Sequence, residues 1–120
     1  MKSTQSILYF QYLQEVLRNT EIKFRCKHAA CVVYKGRIVS TAVNTDKSHP
    51  LQKKYGRYKT GAIYLHAELY ALIKASSKLS KKQFKRASLY VIRNGMQGSK
   101  PCRGCQEAIK AFGVSKIFHS

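Results

Sequence analysis

The hydrophobic and polar positions of the chain follow two different periods, and these periods mark its helices and strands. Residues 3–19 carry apolar side chains three and four positions apart, which predicts an amphipathic helix. Residues 28–34 and 37–44 are apolar and rich in β-branched side chains, and Lys35-Gly36 between them suits a tight turn. The first third of the chain is therefore predicted to form a helix followed by a β-hairpin.

The second half of the chain alternates between helical and extended patterns. Residues 64–78 return to helical spacing, and residues 87–93 are apolar and extended. Residues 102–112 form the next predicted helix, ended by Gly113, and residues 114–118 form a last short strand. The order α-β-β-α-β-α-β predicts an α/β protein. From the third helix–strand unit onward, the alternation predicts parallel pairing through crossover helices, with helices covering both faces of one sheet.

A long loop is predicted between the hairpin and the second helix. Residues 45–63 contain Pro50, Gly56 and Gly61 together with five basic residues. Loops of this length are uncommon inside a compact domain and often carry function.

Length and charge narrow the class of protein. A chain of 120 residues suits one domain, which we place at residues 1–120. It contains 23 Lys and Arg against 5 Asp and Glu, a formal net charge of +18, and repulsion on this scale favours a polyanionic partner. No apolar stretch approaches the roughly 20 residues of a membrane helix. We therefore expect a cytoplasmic, intracellular protein without a membrane partner.

The four cysteines divide into two kinds. Cys102 and Cys105 have the C-x-x-C spacing of a metal site or a redox pair. Cys31 lies in an apolar run and is expected to be a small buried hydrophobic residue, whereas Cys26 has no clear assignment from its surroundings.

The residues that could carry chemistry lie at two predicted helix starts. His66-Ala67-Glu68 begins one helix, and the segment from Pro101 to Cys105 begins the next, with one strand between them. Zinc takes nitrogen and sulfur ligands, and three protein ligands with an open fourth position are typical of a catalytic zinc site. The unpaired N–H groups and the positive end of a helix dipole favour thiolates at such a start. Glu68 could then take a proton from water and deliver it to a leaving amine.

This combination, H-x-E followed by P-C-x-x-C, is the signature of the zinc nucleobase deaminases. The chain resembles the cytidine/deoxycytidylate deaminase superfamily, and the deoxycytidylate deaminase-like proteins of phages in particular. Residues 64–68 and 99–105 carry most of the resemblance, and the order of elements extends it over the whole chain. The resemblance implies a three-layer α/β/α sandwich with a mixed sheet of about four strands, a zinc cofactor, and hydrolytic deamination of cytosine to uracil.

The resemblance also assigns roles to individual residues. The implied zinc ligands are His66, Cys102 and Cys105. Glu68 would be the catalytic proton carrier, and the backbone N–H of Ala67 would hold the pyrimidine carbonyl. Asn44, at the end of the second predicted strand, would contact the substrate, although Asn is also a common turn residue at the end of a strand.

Basic and aromatic residues near the predicted zinc site bear on the form of the substrate. The loop before His66 interleaves the two kinds, including Lys54, Tyr55 and Arg57, and Arg103 lies inside the C-x-x-C segment. We expect all four to contact a phosphate-bearing substrate, with single-stranded DNA or RNA favoured by the charge. The alternative is a free deoxycytidylate or cytidine deaminase of nucleotide metabolism. A homo-oligomer is compatible with either, and a second basic run at residues 78–86 could bind substrate or simply be solvated.

Two interpretations without deamination compete with this one. A structural zinc module that binds nucleic acid would need a fourth protein ligand, for which Cys26, Cys31 and His28 are candidates, and would leave Glu68 without a role. A thioredoxin-like redox pair would follow the first strand of a βαβ unit instead of preceding the last helix.

Overall fold

The computed structural model of the chain describes residues 4–20, 27–44, 66–94 and 103–119. Within these residues the helices are α1 (Thr4–Arg18), α2 (Ala67–Ala75), α3 (Lys81–Phe84) and α4 (Arg103–Phe112). The strands are β1 (Lys27–Tyr34), β2 (Arg37–Val43), β3 (Ser88–Asn94) and β4 (Lys116–His119). Each predicted helix and strand is present, with ends shifted by up to three residues.

The short helix α3 was not predicted from the sequence. Its start is fixed by a capping box, in which the Ser80 side chain accepts from the Gln83 backbone N–H and the Gln83 side chain accepts from the Ser80 backbone N–H. A helix of four residues is too short for a hydrophobic period to reveal it.

The four strands form one mixed sheet in the order β2-β1-β3-β4. The β1–β2 hairpin is confirmed, and both residues of its turn, Lys35 and Gly36, have positive φ angles of 52° and 76°, which a two-residue type I′ turn requires. Strands β3 and β4 are parallel across helix α4, as expected. Strand β1 lies between β2 and β3 and is antiparallel to both, so β2 and β3, which are joined through α2, also run parallel to each other.

Helices cover both faces of the sheet, which confirms the three-layer architecture. On one face, alternate residues of β1, including Cys31, pack against Phe10 and Leu13 of α1. On the other face, Ala30 and Val32 of the same strand contribute to a core cluster that contains residues of α2 and α4. Cys31 is completely buried, as its apolar neighbours predicted.

Side-chain hydrogen bonds connect helix α2 and the turn after it with β2, the strand at one edge of the sheet. Lys74 Nζ donates to the Thr41 carbonyl at 3.0 Å, and Lys78 Nζ donates to the Val39 carbonyl at 3.1 Å. The buried Ser40 hydroxyl donates in the opposite direction, to the Ala71 carbonyl at 2.7 Å. These bonds hold α2 in place beside β2.

The end of α4 has the geometry predicted for Gly113. This glycine has a φ of +95°, a region that side-chain-bearing residues rarely adopt. Its N–H bonds to the Lys110 carbonyl, and the Val114 N–H bonds to the Ile109 carbonyl, which is a Schellman motif. The chain is thereby turned from α4 into β4.

In the part of the chain that the structure describes, no helix combines the length and the apolar character needed to cross a membrane.

Candidate active site

The first turns of α2 and α4 meet, and a nitrogen and a sulfur ligand atom come together there. His66 occupies the N-cap position of α2 with an extended backbone, and its side chain does not cap the helix. Its Nδ1 lies 3.2 Å from Sγ of Cys105, which is 1% exposed in the first turn of α4. The structure therefore brings together two of the three zinc ligands expected from the sequence.

Glu68 completes a cluster of potential metal donors. It lies in the first turn of α2, is 2% exposed, and its Oε1 has no hydrogen-bond partner among the residues that the structure describes. The ligand atoms of His66, Glu68 and Cys105 all lie within 4.8 Å of one another. A buried carboxylate oxygen without a partner is costly unless a ligand is bound there, and the nitrogen and sulfur atoms beside it are the donors that zinc prefers. The site therefore fits a zinc ion.

The surroundings of Glu68 favour its ionised form. Burial raises the pKa of the Glu68 carboxyl, but the imidazole of His28, the backbone N–H of Glu68 and the imidazole of His66 together lower it by more, so the net pKa lies below its ordinary value. At neutral pH the group is therefore a carboxylate, the form that can accept a proton.

His28 is a neighbour of this site that sequence reasoning treated only as a spare metal ligand. Its Nδ1 lies 3.9 Å from Glu68 Oε1. One signal could have found it: His28 precedes Ala30 and Val32 at alternate positions of a strand, and such residues share one face. That face is the one α2 covers, whereas Cys31 lies on the opposite face and cannot supply a fourth zinc ligand.

Asn44 lies immediately after β2 and is bound to His28. Its side-chain Oδ1 accepts from the His28 backbone N–H at 2.9 Å, and its own N–H donates to the His28 carbonyl at 3.2 Å. Of the two roles that the sequence suggested for Asn44, these bonds support the one of a residue that ends a strand. The same bonds place it next to the residue that faces Glu68.

Arg93 adds a positive charge to this side of the sheet, and sequence reasoning missed it. It lies directly opposite His28 in the β1–β3 ladder, so the two residues share a face. Its Nε is buried and, within the described part of the chain, has no hydrogen-bond partner.

Of the remaining residues expected at the site, the structure describes two. Ala67 is the first residue of α2 and is fully buried, and Arg103 begins α4. An N–H group at such a position has no partner within its own helix. The other expected residues lie outside the described part of the chain: Cys102, Lys54, Tyr55 and Arg57, together with Cys26.

Comparison with known families identifies the class of this site. The profile of the family described as "Cytidine and deoxycytidylate deaminase zinc-binding region" matches residues 3–120. The chain belongs to this family. It is therefore a zinc-dependent deaminase, a hydrolase with zinc as its cofactor, as the sequence resemblance implied. The structural zinc module and the thioredoxin-like redox pair are set aside as explanations of the C-x-x-C segment.

Solved structures of a phage deaminase show the same fold. The dCMP deaminase from the cyanophage S-TIM5 in its apo form is 22% identical, with a TM-score of 0.66 over 99% of this chain and 84% of that one. The same enzyme in complex with dCMP and dUMP is 21% identical, with a TM-score of 0.66 over 99% of this chain and 82% of that one. A search of curated proteins gave no match.

Proposed function

We propose that this deaminase converts cytosine to uracil in a phosphate-bearing substrate, with free dCMP as the first candidate. The observation that carries the proposal is the buried carboxyl of Glu68 beside His66 and Cys105. A carboxylate in this position can accept and donate protons while a water molecule attacks the cytosine ring.

The proposed roles follow from the chemistry of each side chain. His66, Cys105 and Cys102 would hold zinc, which when bound acidifies water and so provides a nucleophile near neutral pH. Glu68 would accept a proton from the attacking water and pass a proton to the amino group, which leaves as ammonia. Because Glu68 is buried, little bulk water competes with this transfer.

Two observations support a mononucleotide substrate. The similar phage enzyme is seen with dCMP and dUMP, which differ in the amino group that a deaminase removes. In this chain, the guanidinium of Arg93 supplies a positive charge beside His28, and its buried Nε has no partner among the described residues. A phosphate is the kind of acceptor that such a group binds.

A single-stranded nucleic acid is the second candidate, and the net charge of +18 favours it. The described surface after the second helix includes exposed basic residues, namely Lys78, Lys81, Lys82, Lys85 and Arg86. These could contact several phosphates at once. A polymeric substrate would then bind much more weakly as salt is raised, because each neutralised phosphate releases counterions.

One set of assays tests the proposal. Purified protein with about one zinc per chain is incubated with dCMP, cytidine or a cytosine-containing single strand, and ammonia release is measured at two salt concentrations. Glu68→Gln should reduce kcat by roughly 10²- to 10⁴-fold while zinc content is retained. Glu107→Gln makes the same chemical change at an exposed position of α4 and is the matched control. Full activity of Glu68→Gln would overturn the proposal.

The broader expectations from the sequence stay proposals. They are one deaminase domain over residues 1–120, a cytoplasmic location, and a nucleotide or single-stranded nucleic acid as partner, with a homo-oligomer compatible with all of these.

A further inference from the structure

A second imidazole approaches the catalytic carboxylate from the sheet. His28 lies on β1, and its side chain is 14% exposed. Its Nδ1 faces Oε1 of Glu68, an oxygen to which no described residue donates a hydrogen bond. The 3.9 Å between the two atoms exceeds the usual hydrogen-bond range, so a shift of about 1 Å or one bridging water would connect them.

The position of His28 is fixed by its neighbours on both sides. Strand β1 has β2 on one side and β3 on the other. The backbone N–H and carbonyl of His28 are both bonded to Asn44, and Arg93 faces His28 across the β1–β3 ladder. The imidazole therefore projects from a rigid support, which is what a precise contact with a catalytic group requires.

His28 is not one of the metal donors that the described residues bring together, which are His66, Glu68 and Cys105. It faces Glu68 from the strand, whereas His66 and Cys105 approach from the helix starts. A carboxylate has two oxygens, so a partner that holds one of them orients the other. This arrangement gives His28 a role separate from zinc binding.

We propose that His28 is a positioning residue that holds Oε1 of Glu68 and so orients the carboxylate for proton transfer. This inference rests on the proposed role of Glu68. It predicts that His28 matters for the chemical step more than for substrate binding, because the residue acts through Glu68.

Three substitutions of His28 separate this role from others. Leu removes the polar group at similar volume. The side-chain amide of Asn lies at the distance of Nδ1 from the backbone, whereas the amide of Gln lies at the distance of Nε2. Because Nδ1 faces Glu68, His28→Leu and His28→Gln should lower kcat for dCMP by about 10- to 100-fold, a range typical of partners that orient a catalytic group. His28→Asn should restore at least a third of the wild-type kcat, and KM should change less than about threefold in all three.

Zinc content and thermal unfolding are measured for each variant. Cys31→Ala is the matched control, since it alters a buried residue of the same strand on the opposite face and should leave kcat unchanged. If His28→Leu fails to fold, the comparison of Asn with Gln decides the question alone.

Several results would overturn the inference. A wild-type kcat in His28→Leu would do so, as would a raised KM with kcat unchanged, because His28 would then contact substrate instead of Glu68. Loss of zinc from the folded variants would assign His28 to the metal site. Rescue by Gln and not by Asn would contradict the role of Nδ1. If Glu68→Gln itself stays active, the proposed function fails; if Glu68→Gln is inactive and His28→Leu is not, this inference fails alone.

Discussion

Nδ1 of His66 lies 3.2 Å from Sγ of Cys105, although the two residues are 39 positions apart in the chain. His66 is the N-cap residue of α2, and Cys105 lies in the first turn of α4. In the sequence, strand β3 separates these two helices. The contact depends on α2 and α4 packing side by side on one face of the sheet. The donor pair is therefore a product of the fold and not of local sequence.

Removal of zinc should destabilise the protein as well as inactivate it. The donor cluster contains buried polar groups that lose their ligand when the metal leaves. Zinc present at a thousand times its Kd contributes about 4 kcal/mol to folding, so chelation should lower Tm by roughly 10 °C or more. Differential scanning calorimetry before and after dialysis against a chelator measures the shift, and added zinc should reverse it. Cys105→Ala should show little further response to chelator, and a wild-type Tm that chelation leaves unchanged would contradict the prediction.

The thiol of Cys31 should make the protein lose stability at alkaline pH. Burial raises the pKa of Cys31 from about 9 to about 12. Above pH 9 the unfolded chain releases this proton while the folded chain retains it, so the contribution of the thiol to stability falls as pH rises from about 9 to 12. Urea unfolding of the wild type and of Cys31→Ala at several pH values measures the contribution of the thiol as the difference between their free energies of unfolding.

That difference in unfolding free energy should shrink between pH 8 and pH 11, because the cavity left by Cys31→Ala is independent of pH. A constant difference would show that the thiol titrates equally in both states. The folded protein should also resist alkylation of Cys31 at pH 8, whereas urea should expose it.

The sequence predicted those elements that have a period or a clear end signal. Helix α1 and strands β1 and β2 have long apolar patterns, and Gly113 marks the end of α4. Helix α3 has too few residues for a period. The pairing of β3 with β1 could not be predicted from the sequence either. An apolar pattern indicates that a strand is buried, but it does not show which strand is its neighbour.

The same limit applies to the site. His66 and Glu68 were found because a short motif at a helix start has a recognisable chemistry. His28 and Arg93 lie on two strands, and their meeting depends on the β1–β3 register. The alternation along β1 places His28 on the face that α2 covers, but no local pattern in the sequence connects Arg93 with Glu68.

Two lysines should protect the free edge of the sheet from association. Lys74 and Lys78 donate to outward-facing carbonyls of β2, which ends the sheet on that side. Such an edge can pair with another chain when it is uncovered. We expect the double variant Lys74→Met, Lys78→Met to form larger species in static light scattering at concentrations where the wild type does not.

The double variant Lys81→Met, Lys82→Met removes the same charge from α3, where no contact with β2 carbonyls is involved. It should behave as the wild type does. Equal association of both double variants would attribute the effect to lost charge instead of to an uncovered edge.

Arg93 should discriminate between a nucleotide and a nucleoside. Its buried Nε has no acceptor in the described part of the structure, and the residue lies opposite His28 on the side of the sheet that faces Glu68. If the substrate phosphate binds there, Arg93→Leu removes a charge-assisted contact worth roughly 1.5–3 kcal/mol. The KM for dCMP should then rise by about 10- to 100-fold, while the KM for deoxycytidine changes little. Arg86→Leu makes the same change at an exposed position and should leave both constants unaltered. An equal rise for nucleotide and nucleoside would show that Arg93 supports the fold of the site and does not bind the phosphate.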